Sequence, residues 1–332
     1  MLALVAAIIG LVGKGRLFDK VATCLIGAGV VVQTSYILAR WVEAGRPPFS
    51  NMFESLVLFA WSVAAIYLML RIWIDLPLIA PPAALMSAMV LAYASTYGFE
   101  IQPLVPALQS NWLSFHVFTC FLGYGGFAIA FVVGIGYLVA IKDAVFRWFF
   151  WAIAVLIAIS KPIFLCITYV LFGLNKADGG TLAAGIGASF NSVILGPGVV
   201  AKLFYGTIAA AIMIEICYWI VRRKSMQRKT GETLDLVMTR TVSFGFIFLT
   251  LGIITGAVWA NSAWGSYWTW DPKEVWSLIT WLIYAVFLHC KFMRGWRGRR
   301  AAWISIIGFV SVLTTYVGVN LLMDGLHSYG SK

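Results

Sequence analysis

Three histidines stand in a chain of 332 residues, and their positions raise the first chemical question. His116 opens the apolar run NWLSFHVFTCFLGYG, His327 follows another in NLLMDGLHSYG, and His289 lies deep inside WSLITWLIYAVFLH. Ahead of His289 comes WGSYWTWDPKEVW, Trp264 to Trp276, which places Trp264, Trp268, Trp270, Trp276 and a tyrosine around one Asp-Pro-Lys-Glu turn. Trp259 precedes this stretch and Trp281 follows it. Imidazole is a metal ligand and a proton carrier. Indole offers a broad apolar face with one N–H donor. Asp271 and Glu274 could serve as an acid/base pair, yet Asp-Pro-Lys-Glu also matches a helix start, with Asp at the N-cap, Pro at the first position and Glu at the third.

The elements that must position these groups follow from composition. The chain is 61% hydrophobic and 11% charged, with a mean hydropathy of +0.91. Soluble domains are about half apolar, so this is an all-α, polytopic helical membrane protein; the apolar runs are too long and uniform for alternating barrel strands. About ten spans are expected, with eight possible. They cover approximately 1–12, 21–39, 53–70, 77–96, 116–141, 148–174, 198–221, 240–260, 275–293 and 301–322. Pro77, Pro81 and Pro82 predict an irregular start for the fourth. The first run has no basic residue before it and Lys14, Arg16 and Lys20 after it. It reads as a short span with its N-terminus outside rather than as a removable signal peptide.

With that orientation, most of the 24 Lys and Arg residues fall in inside segments, chiefly 13–20, 222–239 and 291–300. The net charge of +11 therefore reports membrane topology, and no nucleic-acid partner is implied. Both termini, His116, His327 and the tryptophan-rich loop fall on the outer face. The five cysteines, Cys24, Cys120, Cys166, Cys217 and Cys290, lie in apolar runs without a CxxC and read as packed thiols. The Gly-rich stretch from Lys176 to Gly198 lacks the GKS/T ending of a phosphate cradle. Three segments are distinguished: 1–147, N-terminal membrane helices with outer His116; 148–225, two inserted spans with the Gly-rich loop; and 226–332, which carries the aromatic loop. Lys161 and Glu215, inside the insertion, are candidates for pairing or proton handling.

Two imidazoles and several indoles on one face point to a large flat ligand with a metal at its centre, which haem satisfies. An interfacial hydrogen-bonding histidine and an ordinary aromatic belt are the plainer alternatives. His289 lies about 20 Å from the outer end of its helix at 1.5 Å per residue. At that depth an ionisable group is either functional or makes an interhelical hydrogen bond.

Trp264 to His289 resembles the tryptophan-rich WWD signature of haem-handling proteins. LTLGIITGAVWA (249–260), GVNLLMDGLHSYG (318–330) and PPFSNMFESLVLFAW (47–61) resemble the CcsA/ResC branch in particular. The resemblance implies one subunit of the System II cytochrome c synthase, a holocytochrome c synthase or haem lyase. It implies haem b held at the outer face by Trp264, Trp268, Trp270, Asp271 and Trp276, with His116 and His327 as axial ligands of its iron and His289 as a ligand at an inner site. It further implies a ResB/CcsB-type membrane partner and apocytochrome c as substrate. The expected location is a bacterial cytoplasmic membrane, with a plastid thylakoid membrane as the alternative. Region 148–221 departs from the family pattern by its additional spans. A haem exporter without ligation activity, a membrane electron-transfer cytochrome and a ligand-free scaffold are the competing functions. The three histidines, two of them on one face, argue against the cytochrome.

Overall fold

The computed structural model describes residues 2–13, 16–75, 77–101, 103–104, 108–148 and 228–322. Most of these residues are helical, and no strand occurs among them. The helices are α1 (Leu2–Gly13), α2 (Arg16–Ala44), α3 (Met52–Trp73), α4 (Ala80–Ala94), α5 (Asn111–Ala140), α6 (Arg228–Trp264), α7 (Pro272–Met293) and α8 (Arg299–Leu313). A π-helical turn, Thr314–Gly318, leads from α8 into the short α9, Val319–Leu322. Seven stretches among the described residues are long and apolar enough to cross a membrane. The chain divides into two compact units, Met1–Tyr137 with Gln227–Lys332, and Leu138–Met226. The spans expected at 148–174 and 198–221, the Gly-rich loop, Lys161, Glu215, Cys166, Cys217 and His327 lie outside the described residues.

Local chemistry explains where the helices begin. Asn51 caps α3 by accepting from the Glu54 N–H at 2.8 Å. The proline-marked start of the fourth span is a 3-10 turn, Pro77–Ile79, that runs into α4. Asp271 caps α7 in a full capping box with Glu274. The span expected at 240–260 lies within α6, which also takes in the amphipathic stretch 228–239, where Leu234, Val237 and Met238 are buried.

Packing between α5 and α6 is close. A Cβ on Gly126 would stand 2.9 Å from the Thr241 carbonyl oxygen, and one on Gly252 would stand 2.5 Å from Cys120 Sγ. Small residues thus let two membrane helices approach closely, where lipid supplies no hydrophobic drive between them. Tyr284 of α7 is fully buried and stacks on Phe127 of α5 at 3.6 Å. Cys120 is buried as expected for a packed thiol, but Cys24 is exposed on α2. A lipid-facing helix surface is as apolar as a core, so an apolar run alone does not tell the two apart.

Ion pairs secure both ends of the bundle. Buried Glu54 accepts from Arg40 Nε at 3.1 Å and Arg46 Nη1 at 3.3 Å. Arg40 also donates to the Phe99 and Glu100 carbonyls, which ties α2, α3 and the segment after α4 together. At the other end Arg71 bridges Asp19 and Asp75. Asp235 there pairs with Lys291 and accepts from the Gly298 N–H.

Candidate functional site

A cavity of about 770 Å³ opens where the start of α3, the start of α5, the end of α6 and the start of α7 converge. That volume suits a cofactor-sized ligand. His116 and Cys120 of α5, Gly256 and Trp259 of α6, Trp268 of the aromatic loop and Lys273 of α7 all line it. The wall is completed by Tyr316 from the π turn and Asn320 from α9. Tyr316 is held by a 2.7 Å hydrogen bond between its hydroxyl and Ser55 Oγ. Thr315 in the same turn donates to the Trp276 carbonyl and meets Thr280 Oγ1 at 3.0 Å. A π turn widens the helix locally and is often found at functional sites; here it turns Tyr316 into the cavity while docking Thr315 on α7.

His116 is positioned from three sides. Its Nδ1 lies 2.6 Å from the Gly252 carbonyl oxygen. A carbonyl only accepts, so Nδ1 carries a proton and donates it. The ring lies nearly parallel to Trp259, with centroids 6.4 Å apart. Gly256 gives it room, since a Cβ there would fall 2.5 Å from Nδ1. A backbone hydrogen bond at the other ring nitrogen is how metal-binding histidines are usually oriented.

The aromatic loop contributes unevenly. Trp268 lines the cavity, and its buried Nε1 has no hydrogen-bond partner among the described residues. Trp264 packs edge-on against Trp259 at 5.1 Å, behind the cavity wall. Trp270 is 71% exposed, has a positive φ of 59° and meets Trp268 edge-on at 5.9 Å. Trp276 is half-buried and is not among the lining residues; its carbonyl serves α7 and the π turn. Asp271 accepts from the Lys273 N–H at 3.0 Å. Glu274 accepts from Thr269 N–H at 2.7 Å and from Asp271 N–H at 3.3 Å. Both carboxylates are therefore engaged in starting α7.

His289 is not at this cavity. It is exposed on α7 beside exposed Val286 and Phe292 and makes no hydrogen bond among the described residues. Trp281 turns inward instead, donating to Thr250 Oγ1 at 2.9 Å and packing on Phe246. No group of three or more His, Cys, Asp or Glu side chains able to hold a bare metal ion occurs among the described residues. One oriented imidazole within aromatic walls, beside an unsatisfied indole N–H, fits a metal that arrives inside a flat organic frame.

A profile of the cytochrome c assembly protein family matches residues 49–327. The chain belongs to that family. It is 37% identical over 325 residues to the cytochrome c biogenesis protein CcsA of Gloeobacter violaceus, covering 95% of this chain and 87% of that one. CcsA of Microcystis aeruginosa is 37% identical over 296 residues, with 88% and 82% covered. CcsA of Parasynechococcus marenigrum is 34% identical over 311 residues, with 92% and 85% covered. Family membership places this membrane protein in cytochrome c biogenesis, a process that handles haem and apocytochrome.

Several cavity residues were not singled out in the sequence. Gly256, and Gly252 that holds His116 from behind, sit in LTLGIITGAVWA, a stretch whose small-xxx-small spacing marks a close helix contact. Lys273 reads in sequence as one more outside charge. Asn320 and Tyr316 carry no local signal, because their role depends on the π turn.

Proposed function

We propose that the cavity binds haem b as the substrate of cytochrome c maturation, with His116 as one axial ligand and His327 as the other. The observation that carries this reading is the His116 imidazole, aimed into an aromatic cavity with Nδ1 held by the Gly252 carbonyl. Trp268 contributes an apolar face and an N–H donor. Trp264, Trp270, Trp276 and Asp271 act one layer out: Trp264 backs Trp259, Trp270 shields Trp268, Asp271 caps α7, and the Trp276 carbonyl holds α7 against the π turn.

The chain then works as one subunit of a holocytochrome c synthase, together with a ResB/CcsB-type partner. Each cysteine of the apocytochrome CxxCH segment adds its S–H across a haem vinyl group. A C–S bond forms, the proton passes to the other vinyl carbon, and no net oxidation occurs. Both thiols belong to the substrate. Cys120 is one lone, mostly buried thiol in the cavity wall, with Sγ 3.7 Å from His116 Nδ1 and packed against Gly252. The protein's contribution is to hold a reactive group in register with the incoming thiols. His289 is assigned to an inner haem site. Its outward position on α7, away from the other described residues, supports a site completed by the partner.

Product analysis tests the reading. Cells expressing the chain with its partner and a CxxCH reporter should yield haem that stays on the reporter through denaturing electrophoresis. Haem moved across the membrane without a covalent bond would identify an exporter or chaperone instead.

A further inference from the structure

Lys273 is a cation inside the cavity that no carboxylate of the described chain neutralises. Its side chain lines the cavity, and its ammonium donates to Asn320 Oδ1 at 3.0 Å. It forms no ion pair among the described residues. Asn320 is itself fixed, donating through Nδ2 to the Tyr316 carbonyl at 2.6 Å and reaching Met52 Sδ at 3.6 Å. The partner of this lysine is thus a neutral amide locked between α3, α7 and the π turn. Asp271 is near enough to act on the ammonium electrostatically. Its carboxylate, however, accepts from the Lys273 backbone N–H, and Glu274 accepts from Thr269 and Asp271. The other cation of the lining, Arg46, already donates to Glu54 and Ser50.

A half-buried charge without an ion-pair partner is costly, and a ligand that supplies the counter-charge removes that cost. On the reading of this cavity as a haem site, we propose that Lys273 is the anchor for a haem propionate, and that Asn320 holds the ammonium in place to receive it. The carboxylate sets the porphyrin's rotation about the axis through the iron. It thereby decides which edge, and which vinyl group, faces the incoming thiols. Axial ligation by itself leaves that rotation undetermined, so Lys273 acts as a positioning residue for thioether formation.

The test titrates the detergent-purified chain, with its partner subunit, against haem and against haem dimethyl ester, whose propionates are uncharged. The parent should prefer the free acid by about 10- to 100-fold, the range of a hydrogen bond between charged groups. Lys273→Met should abolish the preference while leaving the Soret position of bound haem unchanged, because the axial ligands are intact. Lys273→Arg should retain most of the preference. Asn320→Asp gives the ammonium an internal carboxylate and should weaken the preference without removing the lysine, which provides an independent arm if Lys273→Met folds poorly. The proposal is overturned if Lys273→Met or Asn320→Asp keeps the parental preference, or if Lys273→Arg loses it as fully as Lys273→Met. His116→Ala in the same series separates the two levels. A Soret change there with preference kept in Lys273→Met refutes only the anchor, whereas no Soret change in His116→Ala refutes the haem site itself.

Discussion

A single methyl group at position 256 should reach the imidazole that the account depends on. In Gly256→Ala the new Cβ would stand 2.5 Å from His116 Nδ1 and 2.6 Å from Cε1, well inside van der Waals contact. The α6 backbone is packed against α5 and cannot retreat, so the ring must turn. Turning it breaks the 2.6 Å bond to Gly252 and the parallel contact with Trp259. Overpacking of this kind costs about 1–3 kcal/mol. Expressed as weakened haem binding, that is roughly 5- to 150-fold. Spectral titration of the purified chain with its partner measures it, and the Soret band should shift as the ligand geometry changes. Gly136→Ala is the control, since nothing lies within 4 Å of a Cβ there. It should bind haem as the parent does. If Gly256→Ala and Gly136→Ala match in affinity, spectrum and thermal stability, the positioning of His116 by the α5–α6 contact is wrong.

Three further perturbations separate binding from folding. Trp268→Phe keeps a smaller aromatic face but removes a buried N–H that has no partner among the described residues; haem affinity should fall several-fold while the thermal stability of the haem-free protein falls no further than the smaller ring explains, and parental haem affinity would deny the N–H a ligand role. Glu54→Gln leaves Arg40 and Arg46 without their shared carboxylate; a loss of about 3–5 kcal/mol is expected for a broken buried pair, read as a sharp drop in thermal stability and yield, and parental stability would contradict the role given to this cluster. Asp271→Ala removes the cap of α7 at about 0.5–2 kcal/mol; thermal stability should fall modestly, and a loss of thioether product without any loss of stability would instead assign Asp271 to chemistry.

Much of the architecture is legible in the residues because membrane helices announce themselves one at a time. Apolar length marks a span wherever the segment packs, and Asp-Pro-Lys-Glu marks the start of α7 from local chemistry alone. Within α6 the apolar run 240–260 announces the span, whereas 228–239 is amphipathic rather than oily, and only its contacts show that it is helical as well. Cys24 was read as packed because a lipid-facing surface and a protein core look alike in hydropathy. At the site, His116 and Trp268 were visible by residue type. The partner of His116 was not, because Gly252 lies on a helix distant in sequence and acts through its carbonyl. Nor was the difference among the tryptophans. Trp270 and Trp276 share the motif with Trp268 but not its place at the cavity, which is set by the fold of the loop. Lys273 looked like a topogenic charge until its neighbour proved to be an amide.

The most direct test of the central claim is the absorption spectrum of the chain purified with its ResB/CcsB-type partner, beside His116→Ala and His327→Ala. The account predicts a Soret band in the parent that shifts or disappears in each variant. A parent that carries no haem, or variants whose spectra match a haem-loaded parent, would contradict it and leave the tryptophan-rich cavity as a surface for some other ligand.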